Sequence, residues 1–294
     1  MKYKVRHSTR YEYPEAVYRC SNLAYVLPRD TERQRCQQSG VQITPWPLHA
    51  MERQDYFGNR SYHFSIEQPH TVLEVTATSW VDLDPWRELP SLDFGDGLGV
   101  ARERLRASRD SEDLLAREYV LDSPLVVANG ALREYAMPSF DSRRTLLSAV
   151  QELTQRIYAD FEYSPGFTDV ATPLDAVLEH RRGVCQDFAH LAIGCVRAMG
   201  FPARYVSGYL ETLPPPGSEK LIGSDESHAW FAVYSPGEGW FEFDPTNNKM
   251  AAEQHIITGW GRDYSDVAPL RGVLFGGGGS QKLSVSVDVE RVGW

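Results

Sequence analysis

The residues best placed to do chemistry in this 294-residue chain are a cysteine and a histidine–aspartate pair. Four cysteines are present, Cys20, Cys36, Cys185 and Cys195, none in a C-x-x-C pair and far below the density of a disulfide-stapled scaffold. Free thiols are expected, and most free thiols are small buried apolar residues. Cys185 differs by position. Phe188, Leu191, Ala192, Cys195, Val196 and Met199 follow at helical spacing, and Gly200 and Pro202 end the pattern. Cys185 is therefore expected at the start of a helix, on its inward face. Partial positive charge and spare backbone N–H groups there favour a thiolate and an oxyanion. Gly183 lets the chain turn sharply and a ligand approach the backbone. Cys195, mid-helix, gains none of this.

A nucleophilic thiol needs a base. His228–Tyr234 and Trp240–Asp244 read as strands joined by Ser235-Pro-Gly-Glu-Gly239. A turn centred near Gly237 pairs residues whose numbers sum to about 474, which sets His228 opposite Asp244 to Thr246. Opposed residues share a face, with Cα atoms about 4.5–5.5 Å apart. Asp244 can then accept one imidazole N–H and leave the other nitrogen for the thiol, the arrangement that activates nucleophiles. A lone strand histidine is usually only packed; the pairing is what carries the information.

The elements that must hold these residues fall into two groups. Lys2–Tyr13 (ending at Pro14), Val41–Ile43, Ser61–Ile66 and Val72–Val81 read as short strands of a small antiparallel sheet or sandwich. Residues 84–100 read as a linker. Helical periodicity begins after Asp141 with Leu146, Leu147, Val150, Leu153 and Ile157. A further helix is expected with Thr172 as N-cap, Pro173 as its first residue and Gly183 as its stop. Arg204–Leu210 is a strand, and a Pro-rich loop spans 214–227. Gly276–Gly279 is a flexible connector, and Leu283–Val289 is a half-exposed strand joining one of the sheets. The expected class is α+β, divided into a β domain (1–83), a linker and helical connection (84–140), a core (141–250) and a C-terminal segment with a final strand (251–294).

Composition narrows the partners. Thirty basic against forty acidic residues leave a net charge of −10, which counts against nucleic acid. The N-terminus lacks the apolar stretch of a signal peptide, and no run approaches the roughly 18 apolar residues of a membrane span. A soluble cytoplasmic protein with no membrane partner is expected. G-x-S-x-G and H-E-x-x-H are absent, and Gly95-Asp-Gly97-Leu-Gly99 lacks the surrounding unit of a dinucleotide site. No cysteine and histidine stand at zinc-finger spacing, so no metal is expected; a zinc site from Cys185, His228 and Asp244 is the weak alternative.

Four ordered motifs bring a family into view: Gly183-Val-Cys185-Gln-Asp-Phe-Ala-His-Leu, Met199-Gly-Phe-Pro-Ala-Arg-Tyr-Val-Ser-Gly, Ser227-His228-Ala-Trp230, and Trp240-Phe-Glu-Phe-Asp244-Pro-Thr. Together they resemble the bacterial transglutaminase-like superfamily. The β-rich first eighty residues are similar to the N-terminal domain of bacterial members, so the resemblance covers nearly the whole chain. It implies a papain-like core in which the Cys-bearing helix packs on an antiparallel sheet. It also implies Cys185 as nucleophile, His228 as base and acid, and Asp244 as orienter, the three residues reached independently above. By the same resemblance Tyr163 is the candidate second oxyanion donor beside the Cys185 N–H. Asp187 is expected to be a helix-capping acid. His190, about 140° around the helix from Cys185, cannot be its base. Trp230 and Trp240 are candidates for a substrate-channel wall, with core packing the competing role.

The chemistry expected is acyl transfer through a thioester on a peptide or protein amide. Hydrolysis is favoured, with amine transfer by a protein-glutamine acyltransferase as the alternative and a non-catalytic binding protein as the rival of another class. No cofactor is required, and no EF-hand-like loop suggests calcium. Family analogy alone raises a functional link to an amide-forming ligase.

Overall fold

In the computed structural model, residues 1–84, 91–93, 95–212 and 225–293 are described; most of the expected Pro-rich loop lies outside them. The first strands are β1 (Lys2–Ala24), β2 (Gln34–Thr44), β3 (His49–Gln54), β4 (Arg60–Ile66) and β5 (His70–Leu83). Helices α1 (Leu98–Ala107), α2 (Ser111–Ala116), α3 (Gly130–Ala136) and α4 (Leu146–Asp160) follow, with a 3₁₀ turn at Arg117–Val120. Next come β6 (Glu162–Tyr163), α5 (Leu174–His180), β7 (Arg182–Gly183), α6 (Cys185–Ala198), β8 (Ala203–Leu210), β9 (Glu226–Ser235), β10 (Gly239–Asp244) and β11 (Lys249–Met250). The chain ends with β12 (His255–Gly261), α7 (Tyr264–Val267), β13 (Leu270–Gly276) and β14 (Lys282–Arg291).

The first strand does not end at Pro14. Proline lacks an N–H, but here it falls in the register shift between Glu12 and Val17, a place where a ladder tolerates it. The shift divides β1 between two sets of neighbours: β5 and β14 flank its first half, β4 and β13 its second. The last two strands thus complete the seven-stranded sheet that the first five begin. Residues 251–294 are accordingly no separate segment, because β12 enters the other sheet and β13 and β14 return to this one.

Residues 98–140 also depart from the expected connection. Leu98, Ala101 and Leu105 stand at i, i+3 and i+7, and with Ala116, Val126 and Leu132 they are buried in the same core as α4 and α6. The three arginines and the glutamate interspersed through α1 hide that stripe in the sequence. Helix α6 starts at Cys185 as expected, but every residue from Asp187 to Arg197 is buried, so it is a central helix, not a one-faced one. Before it, Pro173 is the N-cap of α5, and the Thr172 hydroxyl instead donates to Asp169 at 3.1 Å. Arg181, not Gly183, takes the left-handed cap, with φ of 55°. Gly183 is required for another reason: a Cβ there would lie 2.7 Å from Asp187 Oδ2.

The sheet beside α6 is antiparallel in the order β11-β10-β9-β8-β12. The β9–β10 register runs from Ser235↔Gly239 to Phe231↔Phe243, so paired numbers sum to 474. Strand β12 is the outer edge, and the N-terminal unit covers it with two side-chain amides. Gln34 exchanges both its amide groups with the backbone of Ile257 (2.8 Å each), and Asn59 does the same with Trp260 (2.7 and 2.9 Å). Both amides are buried, and they supply the hydrogen bonds that another strand would otherwise provide. Tyr3, Val5, Tyr209, Ile256 and Val289 form an apolar cluster joining the two sheets.

Candidate active site

Cys185 stands half-buried at the first turn of α6. Asp187 accepts the Val184 N–H at 2.8 Å and the Thr168 hydroxyl at 2.6 Å, so it caps the helix as the sequence suggested. The parallel β6–β7 pair aligns Tyr163 with Gly183, two residues before Cys185, and its ring lies edge-on to Phe188 at 6.4 Å. His190 points elsewhere. Its Nε2 accepts the Tyr264 N–H at 3.1 Å, and burial pulls its pKa down to about 4, so it is a neutral acceptor.

His228 lies on β9 and Asp244 at the end of β10. The β9–β10 ladder runs as far as Phe231↔Phe243, and just beyond it Asp244 Oδ2 accepts His228 Nε2–H at 2.9 Å. Asp244 is completely buried yet well supplied with donors. Its Oδ1 takes the N–H groups of Thr246 and Asn247 (3.0 and 3.1 Å), and Oδ2 also takes Asn247 Nδ2 (2.8 Å) and His255 Nε2 (3.0 Å). Burial alone would raise this carboxyl's pKa, but the two imidazole hydrogen bonds hold it far below the carboxylate range. Burial likewise works against a charged His228, and interaction with Asp244 and Cys185 overcomes it, pushing the pKa up to about 10. The fold therefore brings Cys185, His228 and Asp244 to one place, with the imidazole between the other two.

Trp230 does not line an open channel. It is fully buried, its indole stacks on His228 at 6.0 Å and 27°, and its Nε1 donates to Glu242 at 2.7 Å. It supports the ring from within the core. Trp240 is half-buried and lines a cleft that His255 also borders, while Cys185 and His228 do not.

His255 is the residue sequence reasoning missed. Its Nδ1 accepts the Ala252 N–H at 3.2 Å, so the ring proton sits on Nε2 and is donated to Asp244. Burial lowers its pKa, which keeps it a neutral donor. No spacing in the chain points to it, because β12 reaches the site by crossing to the far side of β8. Trp230 spans that gap and meets His255 edge-on at 5.0 Å. Ligand atoms of His228, Asp244 and His255 all lie within 4.8 Å of one another, close enough for the three to converge on a cation. Each is already used in the N–H···O bonds among them, so a cation would have to displace both bonds.

Gly208 makes room for this arrangement. It pairs with His228, and a Cβ there would lie 2.1 Å from the Ile256 carbonyl and 2.6 Å from the Trp230 ring. Gly208→Ala is expected to destabilise the protein by about 3 kcal/mol, the upper part of the overpacking range, since one clashing atom is backbone. Denaturant unfolding measures this, and a change near zero would contradict it.

The His228–Asp244 pair also sets a pH signature. A histidine raised from 6.5 to about 10 contributes stability that is complete below pH 6.5 and lost as pH rises through 10. The depressed Asp244 contributes stability that is complete above about pH 4 and lost only as pH falls through its folded value. The gap in thermal midpoint between the native protein and His228→Gln should therefore be widest between about pH 4 and 6.5 and close toward pH 10. A gap that widens with alkalinity would refute the charged pair.

A cysteine at the N-terminus of a central helix, facing histidine and aspartate from an antiparallel sheet, defines the transglutaminase-like class of fold. Residues 134–245 match the transglutaminase-like superfamily, and residues 3–82 match the bacterial transglutaminase-like N-terminal region. An uncharacterized protein of Mycobacterium tuberculosis is 40% identical over 294 residues, covering 98% of this chain and 92% of its own. The structure called "Putative Cysteine Protease" from Cytophaga hutchinsonii shares the fold with a TM-score of 0.75 at 24% identity, covering 99% of this chain and 90% of its own. A 73-residue stretch, 24% of this chain and 11% of the other, is 37% identical to a protein-glutamine gamma-glutamyltransferase of Pseudomonas aeruginosa. The chain belongs to the bacterial transglutaminase-like superfamily.

Proposed function

We propose that this protein is a cysteine-dependent amide hydrolase acting on a peptide or protein through a thioester. The observation that carries the reading is His228 set between Cys185 and Asp244, its pKa pushed up to about 10 by both. The Cys185 thiolate adds to the amide carbonyl carbon, and the oxyanion is held by the Cys185 N–H with Tyr163 as the second donor. Protonated His228 gives its proton to the nitrogen as the C–N bond breaks, releasing the amine and leaving an S-acyl enzyme. Neutral His228 then takes a proton from water, whose oxygen attacks the thioester, and the thiolate departs with the acid as product. Asp244, with His255 and Asn247 also bonded to it, holds the ring in orientation throughout.

Water is favoured as acceptor because Cys185 is only half-buried and the thioester would be open to solvent. Amine transfer shares the first half-reaction, and the short match to a protein-glutamine gamma-glutamyltransferase favours it as the second reading. Incubation with a glutamine-containing peptide library and a dansylated primary amine, followed by mass spectrometry, separates the two. New carboxylates with loss of amine support hydrolysis, and dansyl incorporation supports transfer. Neither product, and no acyl adduct on Cys185, would leave the binding-protein reading.

A further inference from the structure

The structure holds a second feature built for a ligand, a cleft that His255 also borders but that neither Cys185 nor His228 lines. A cleft of about 1600 Å³ lies between the N-terminal unit, the α1–α2 region and the sheet face carrying Trp240. Arg204 of β8 enters it with its guanidinium sandwiched between two indoles, 4.2 Å from the Trp240 ring centroid and 3.7 Å from that of Trp260. Arg29 also stacks on Trp260, at 3.3 Å from its ring centroid. Arg204 is only 7% exposed, and its Nε is a buried donor with no partner among the described residues. Glu242 acts on it only through space, and the Oε2 of that acid is taken by Trp230. A buried cation held against aromatic rings with no hydrogen-bonded acid is costly to the fold. Packing alone would be met by an apolar side chain.

We propose that Arg204 is the anchor of a binding site for the carboxylate of a peptide or acylated amino acid. The guanidinium carbon lies over both indole rings, which leaves the guanidinium edge for a ligand. The edge offers parallel N–H donors, which match a planar carboxylate bidentately. The rest of the lining selects against more highly charged anions. Acidic residues, among them Glu32, Glu112 and Glu118, outnumber the basic Arg33 and Arg104 around the cleft, and Asp113, Glu118 and Glu238 are held by the hydroxyls of Tyr234, Tyr56 and Ser235. A phosphate would meet that acidic rim with two charges; a single carboxylate on a neutral amide body meets it with one. Tyr119, which packs edge-on to Trp240 at 5.1 Å, supplies apolar surface for such a body.

The test is titration of the full chain with N-acetylglycine, read by tryptophan fluorescence, with N-acetylglycinamide as the uncharged control. A saturable change with the acid and none with the amide is expected. Arg204→Met keeps an apolar stem between the indoles and should weaken binding at least about tenfold while holding or raising the thermal midpoint. Arg204→Lys, which keeps the charge and loses the fork, serves if the methionine variant fails to fold, and should also bind about tenfold more weakly. Absence of a saturable response up to about 100 mM overturns the proposal, since even a weak site would fill there. Binding unchanged in the Arg204 variants overturns it too. So does binding that survives them but is lost in His228→Gln, which would put the carboxylate at the candidate active site.

Discussion

Cys185→Ala is expected to lower amide turnover by at least about 10⁴-fold while leaving the thermal midpoint within a few degrees of the native protein. The size of the effect follows from the chemistry. Without Sγ no acyl-enzyme forms, and the surviving oxyanion donors and imidazole act only on water held by chance. The small structural cost follows from position. Cys185 is half-buried at the first turn of α6, and the helix start is fixed by Asp187 and the Val184 N–H, neither of which involves the thiol. Turnover of the product-forming peptide, beside a thermal melt of each protein, measures both. Undiminished turnover by the variant would end the thioester mechanism, and a collapsed melt would make Cys185 a structural residue.

His228→Ala should cost about 10³–10⁴-fold in turnover, the span expected for a group acting as both acid and base. A substrate-free readout isolates the same interaction. Native His228 is held protonated through neutral pH, its pKa pushed up to about 10, so it presents a cation to Cys185. Iodoacetamide near pH 6 should therefore alkylate Cys185 at least ~100-fold faster than Cys195. Burial pushes the Cys195 thiol up to about 12 and hides it from reagent, which makes it an internal control. In His228→Ala the advantage of Cys185 should fall by about 100-fold with the fold intact. Equal labelling of the two cysteines in the native protein, or labelling indifferent to His228, would move the weight to a binding role.

Much of the core geometry was legible because it is local or periodic. The 3.6-residue stripe from Phe188 to Val196 fixed the helix, and its first residue followed from the glycine and cysteine before it. The hairpin register depended only on the turn at Gly237 and two short strands, so the approach of Asp244 to His228 could be worked out by counting. The α+β class and the resemblance to transglutaminase-like proteins rested on these same short stretches. Strand β1 was misjudged at Pro14 because a proline's effect depends on whether its neighbours need its missing N–H, and the register shift removes that need.

The tertiary structure alone decided the rest. His255 joins Asp244 only because β12 pairs with β8, and nothing within either strand records which edge the other will take. That edge is in turn held by Gln34 and Asn59, more than two hundred positions earlier in the chain. Trp230 is identical in sequence terms to an exposed channel wall, and it became a buried support for His228 because Gly208, which pairs with His228, leaves space for the Trp230 ring. Arg204 likewise reads as an ordinary strand arginine until Trp240 and Trp260 close over it from two different strands. Spacing fixes what a residue can do with its neighbours along one element. Its partners across elements depend on how the sheets and helices bury their faces against each other, and that is settled by packing of the whole chain.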